Sequence, residues 1–134
     1  MLTVRHLEDY LECKRALGEY GRSSDYNICN IYFHGEQYEV AASMYRDYIL
    51  KYPDRQSARY MLARTLIQGE LDPEEGLEIT NTLLEQNPDY TYLLDVKAWG
   101  LQKLGRHEEA LELYERIDAK DPGFVPYRYQ RMQE

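Results

Sequence analysis

Among the residues able to do chemistry, His107-Glu108-Glu109 comes nearest to a motif. A zinc-hydrolase helix needs a second histidine four residues after the first, so that both imidazoles share one face and the glutamate serves as base. Position 111 is Leu111, so the pair is missing. The next acidic group, Asp72-Pro73-Glu74-Glu75, has the order of a helix start. An aspartate caps, a proline opens the first turn, and carboxylates face the positive end of the helix dipole. Gly18, Gly21 and Gly35 are too scattered for a phosphate loop. His6, His34 and His107 are widely spaced, and Cys13 and Cys29 make neither a CxxC motif nor a disulfide framework. Two reduced thiols are expected. The expectation is a chain with no catalysis, no metal and no cofactor.

Charge points away from other partners. Acidic residues outnumber basic ones 24 to 16, a net charge of −8 that repels nucleic acid and anionic lipid. The Arg128 and Arg131 pair beside Tyr127 and Tyr129 is too short a basic segment to reverse that. No stretch approaches 18 consecutive apolar residues, so no membrane span is expected. Met1–Tyr10 lacks the apolar core of a signal peptide. Cytoplasmic placement is therefore expected, although an exported domain without its leader would look the same. At 134 residues, one domain is expected.

The elements carry more information than any site. Three prolines close similar segments: LKYPD at Leu50–Asp54, EQNPD at Glu85–Asp89 and AKDPG at Ala119–Gly123. Pro53 and Pro88 are 35 residues apart, and Pro88 and Pro122 are 34 apart. That period belongs to a helix-turn-helix unit. Leu94, Ala98 and Leu101 recur at i, i+4 and i+7, one helix face. After Gly105, the residues Ala110, Tyr114 and Ile117 repeat the spacing, and Pro122 stops the second helix.

With these motifs the chain resembles the tetratricopeptide repeat family, whose pattern runs large–x2–Leu–small–x2–Tyr, then Ala–x3–aromatic, then Pro. The last unit supplies Leu94, Lys97, Ala98, Leu101, Ala110, Tyr114 and Pro122. The first supplies Asp25, Ile28, Cys29, Tyr32, Ala41, Tyr45 and Pro53. Counted the same way, the middle unit is Tyr60, Ala63, Arg64, Ile67, Gly76, Thr80 and Pro88. Arg64 then stands where a small residue should let the helices cross closely, so an intact but looser hairpin is expected there.

The resemblance implies an all-α, tetratricopeptide-type solenoid in a single domain over 1–134. Repeats are expected over 22–56, 57–90 and 91–123. A helix or half repeat over 1–21 precedes them, striped with Leu7, Tyr10, Leu11, Lys14 and Leu17, and a short cap over 124–134 follows.

The resemblance also implies a protein–protein interaction module, an adaptor or scaffold that holds a peptide along the concave face made by the first helices. By register the candidate peptide-binding residues are Tyr26, Asn30 and Phe33, then Met61, Thr65 and Gln68, then Tyr92, Asp95, Trp99, Gln102 and Lys103. The aromatics can enclose apolar side chains, and the amides can both donate to and accept from a peptide backbone. Family members that bind chaperones grip a C-terminal carboxylate with two lysines, two asparagines and an arginine. Only Asn30 matches, the other positions holding Tyr26, Leu62, Tyr92 and Val96, so acidic heat-shock chaperone tails are not expected ligands. The alternatives are a self-associating assembly subunit, a homodimer or larger, joined through the apolar ends, or a regulatory subunit of a larger complex.

Overall fold

The computed structural model describes residues 22–124 and 126, together with Asp9 and Cys13. The helix expected over 1–21 and the cap expected over 124–134 lie outside the described residues, apart from Asp9, Cys13, Phe124 and Pro126. Among the described residues there are six helices and no strands: α1 (Arg22–His34), α2 (Tyr38–Lys51), α3 (Gln56–Gln68), α4 (Pro73–Gln86), α5 (Thr91–Lys103) and α6 (His107–Lys120). Successive helices pack against each other, and α3 also touches α5 directly. The result is an all-α solenoid of three helical hairpins. No described helix is long and apolar enough to cross a membrane.

Each hairpin turn has one construction. Gln37, Leu71 and Arg106 donate their N–H to Tyr32, Leu66 and Leu101, five residues back. The residue before each, Glu36, Glu70 or Gly105, sits at positive φ (61°, 55° and 79°). This is the Schellman closure, in which a left-handed residue satisfies the last helix carbonyls. Only the third turn has glycine there. Gly105→Ala is expected to cost about 1 kcal/mol, measured by urea unfolding. Its added Cβ would meet nothing within 4 Å, so the whole cost is the left-handed backbone.

The second helices start and stop as their sequences dictate. Pro73 opens α4, and the Asp72 carboxylate accepts the Glu75 N–H at 3.1 Å. At the far ends, Tyr52, Asn87 and Asp121 donate to carbonyls four residues back, and a proline follows each.

Small residues let the hairpins close. Ala41, Ala63 and Ala98 have no exposed surface and Ala110 almost none. The middle hairpin corrects the sequence reading: the small position belongs to Ala63, not Arg64. The hairpin is also tight rather than loose, because a Cβ on Gly76 would lie 2.9 Å from the Ala63 carbonyl oxygen and 2.7 Å from Ile67 Cγ1. The cause is one extra residue. The turn between α3 and α4 has four residues, 69–72, whereas the other two hairpin turns have three, 35–37 and 104–106. Counting back from Pro88 through the longer turn shifts α3 by one position.

Candidate peptide-binding groove

The first helices line a cavity of about 600 Å³. Tyr26, Asn30 and His34 face it from α1, and Gln56, Ser57, Tyr60, Met61 and Arg64 from α3. Leu83 near the end of α4 and Asn87 just after it form part of the wall, with Tyr90 and Leu93 at the start of α5. This volume is in the ordinary range for binding clefts, and the lining mixes tyrosines and apolar side chains with amides, a serine, a histidine and an arginine.

The polar groups are held from behind. Tyr45 of α2 is fully buried and donates its hydroxyl to Asn30 Oδ1 at 2.5 Å. That bond turns the Asn30 amide so that its NH2 donor points away from Tyr45. Tyr26 packs in tilted contact on Tyr48, with ring centroids 5.4 Å apart, and carries the Arg55 guanidinium 4.1 Å over its ring. Arg64 stacks 4.9 Å over Phe33. These contacts restrict the rotamers of the side chains that line the cavity.

The eleven residues assigned by register separate into three groups. Tyr26, Asn30 and Met61 come together in the cavity, although Met61 is largely buried. Phe33, Thr65 and Gln68 serve the fold. Phe33 is core, edge-on to Tyr38 at 5.8 Å. The Thr65 hydroxyl turns back to the Met61 carbonyl of its own helix, and Gln68 Nε2 donates to the Tyr38 hydroxyl.

The α5 residues go elsewhere. Asp95 and Gln102 line a second cavity of about 370 Å³ with Tyr114, Asp118, Asp121 and Phe124. There Gln102 accepts from the Tyr114 hydroxyl at 3.1 Å. Tyr92 packs edge-on to Phe124, 5.0 Å between centroids. Lys103 pairs with Glu70 at 2.6 Å. Trp99 is half-buried on α5 and lines neither cavity.

Register reasoning missed Tyr60 and Arg64 because of the one-residue shift in α3. Tyr60 and Arg64 stand 34 residues after Tyr26 and Asn30 and are their structural counterparts, whereas Met61 and Thr65 point one step further round the helix. A count anchored on the helix starts, not on the prolines, would have found them. Leu83, Asn87 and Tyr90 had no signal in the sequence, because their place in the wall is set by packing between repeats.

Other reactive groups are placed for packing. Burial, reinforced by the charge of Asp25, pushes the Cys29 thiol up to about 12, so it stays protonated at neutral pH. Among the described residues, no cluster of three or more His, Cys, Asp or Glu side chains is arranged to hold a metal ion.

No family model matches the chain, and no curated protein matches it. A solved structure of MamA (AMB-1, crystal form P212121) does, with a TM-score of 0.67 and 20% sequence identity. The match covers 87% of this chain and 63% of that one, so this chain spans less than two thirds of that protein's length. At that identity the likeness shows the fold, a tetratricopeptide-type helical solenoid.

Proposed function

We propose that this chain is a protein-interaction module, an adaptor or scaffold, that binds a peptide segment of another protein along the face made by α1, α3 and α5. The observation that carries the proposal is the cavity of about 600 Å³ on that face. Three tyrosines, Tyr26, Tyr60 and Tyr90, surround it, with Met61, Leu83 and Leu93 as apolar wall and Asn30, Gln56 and Asn87 as amides. Aromatic side chains set in pockets are the usual energetic centres of interfaces. Amides satisfy a peptide backbone that would otherwise lose its water. A solenoid offers this surface already formed, so little binding energy goes into ordering it.

The test is binding by a Tyr26→Ala/Tyr60→Ala double variant. Both rings are only partly buried, so the fold is expected to survive, checked by far-UV circular dichroism. Affinity for the natural partner is expected to fall at least tenfold, since a hot-spot aromatic typically contributes about 2 kcal/mol or more. Unchanged affinity in a folded double variant would refute the groove as the binding surface.

A further inference from the structure

We infer that the groove's ligand is a proline-rich segment in the polyproline II conformation, with side chains three residues apart set against the Tyr26 and Tyr60 rings and a backbone carbonyl accepting from Asn30. The inference rests on the peptide-binding reading above and specifies the conformation that site selects.

The first observation is a spacing. Tyr26 is the fifth residue of α1 and Tyr60 the fifth of α3. The two rings thus hold one position in successive repeats, and both line the cavity. Neighbouring helices of one layer stand about one helix diameter apart, roughly 10 Å. A polyproline II chain has three residues per turn and rises about 9 Å in that turn. Its residues i and i+3 therefore face one side at about the spacing of the two rings. A β-strand fails the same comparison, because residues three apart lie on opposite faces. Arg55 covers one face of Tyr26, so the ligand meets the side of that ring turned to the cavity. Tyr90, 49% exposed, adds a third ring at the start of α5.

The second observation separates polyproline II from an α-helical ligand. Tyr45 is fully buried and donates to Asn30 Oδ1, so the amide presents its NH2, a donor, to the cavity. Gln56 and Asn87 add two more amides to the wall. A helical ligand has used its carbonyls on its own backbone and would leave the Asn30 NH2 desolvated without an acceptor. A polyproline II chain has no internal hydrogen bonds, so its carbonyls are free to accept. Its prolines bring no N–H that needs a partner. Among the described residues there is no strand, so the groove offers no edge along which an extended ligand could add a ladder.

The probes are short fluorescein-labelled repeats of proline-proline-leucine, which set leucine at every third residue. Controls replace the prolines by threonine, which favours strand, or by alanine, which favours helix. Fluorescence anisotropy reads affinity for the full chain. The proline repeats are expected to bind about tenfold tighter than either control, because they arrive already ordered. Asn30→Asp keeps an acceptor for the Tyr45 hydroxyl and removes the donor. It is expected to weaken the proline repeats about fivefold, with unchanged far-UV circular dichroism. Ser57→Trp, at an exposed position in the lining, places an indole in the cavity and is expected to abolish binding of every set. Equal binding of proline, threonine and alanine repeats, all lost in Ser57→Trp, would overturn this inference and leave the groove standing. Proline repeats bound undiminished by Asn30→Asp would overturn it as well. No binding in any set, or binding indifferent to Ser57→Trp, would overturn the groove and the inference together.

Discussion

Tyr45→Ala is expected to lower folding stability by about 3–5 kcal/mol, the range for deleting a fully buried aromatic side chain. Tyr45 has no exposed surface and sits in the cluster that joins α1, α2 and α3, with Cys29, Phe33, Tyr48 and Leu62. Truncation leaves a cavity the size of a ring and strands Asn30 Oδ1, which loses its donor. Tyr45→Phe keeps the ring and removes only the hydroxyl, so about 1–2 kcal/mol is expected. The two variants together separate packing from hydrogen bonding.

Alkaline pH adds a third readout. Burial, with Tyr26 and Cys29 contributing, holds the Tyr45 phenol protonated far above its ordinary range. In the unfolded chain the same phenol ionises near 10. The unfolded state thus loses a proton that the folded state keeps, and stability falls as pH rises past about 10. Tyr45→Phe is expected to flatten that part of the curve. Urea titrations between pH 8 and 11 check it, and an unchanged alkaline slope in Tyr45→Phe would count against the assignment. Because Tyr45 also orients Asn30, Tyr45→Phe is expected to weaken peptide binding without touching a ligand.

Ile67→Ala is expected to cost about 2–5 kcal/mol. Ile67 is fully buried where three helices meet. Its Cγ1 and Cδ1 fill the space left by Gly76 of α4 and Gly100 of α5; a Cβ on Gly100 would lie 3.1 Å from Ile67 Cδ1. The glycines and the isoleucine act as one unit, and this sets the sign of a second change. On propensity alone Gly76→Ala would stabilise a helix by about 1 kcal/mol. Here the new Cβ presses on Ile67 Cγ1 and on the Ala63 carbonyl oxygen, and the latter is backbone that cannot move aside. The expected result is net destabilisation of about 1–3 kcal/mol, the usual cost of overpacking. Ile67→Ala removes one of the two clashes, so the double variant should be more stable than the sum of the singles implies. Additive effects would show that α3 and α4 do not meet as described.

The fold was largely legible because its punctuation is local. Pro53, Pro88 and Pro122 each follow a second helix, and Ala41, Ala98 and Ala110 mark its crossings with the first. Asp72-Pro73 announces α4 by its own chemistry. Of the residues that line the cavity, the candidate set read from the sequence held Tyr26, Asn30 and Met61. A single extra residue in the 69–72 turn moved Tyr60 and Arg64 into the groove and put Thr65 against its own backbone. Nothing in the sequence marks that turn as longer until the helix ends are known. Phe33 and Asp95 are buried although their register faces the groove, since burial depends on neighbouring helices that a single repeat does not encode. Leu83, Asn87 and Tyr90 reach the cavity through packing between repeats, which no single repeat encodes.

The most direct test of the binding surface is a map of where a ligand lands. A peptide selected from a random display library against the folded chain would be titrated into 15N-labelled protein, and amide shifts followed by NMR. The expected result is a contiguous set of shifts at Asn30, Ser57, Tyr60, Arg64, Asn87 and Tyr90, absent in Ser57→Trp. Shifts confined to the opposite face, around Leu50 of α2 and Leu111 of α6, would contradict it.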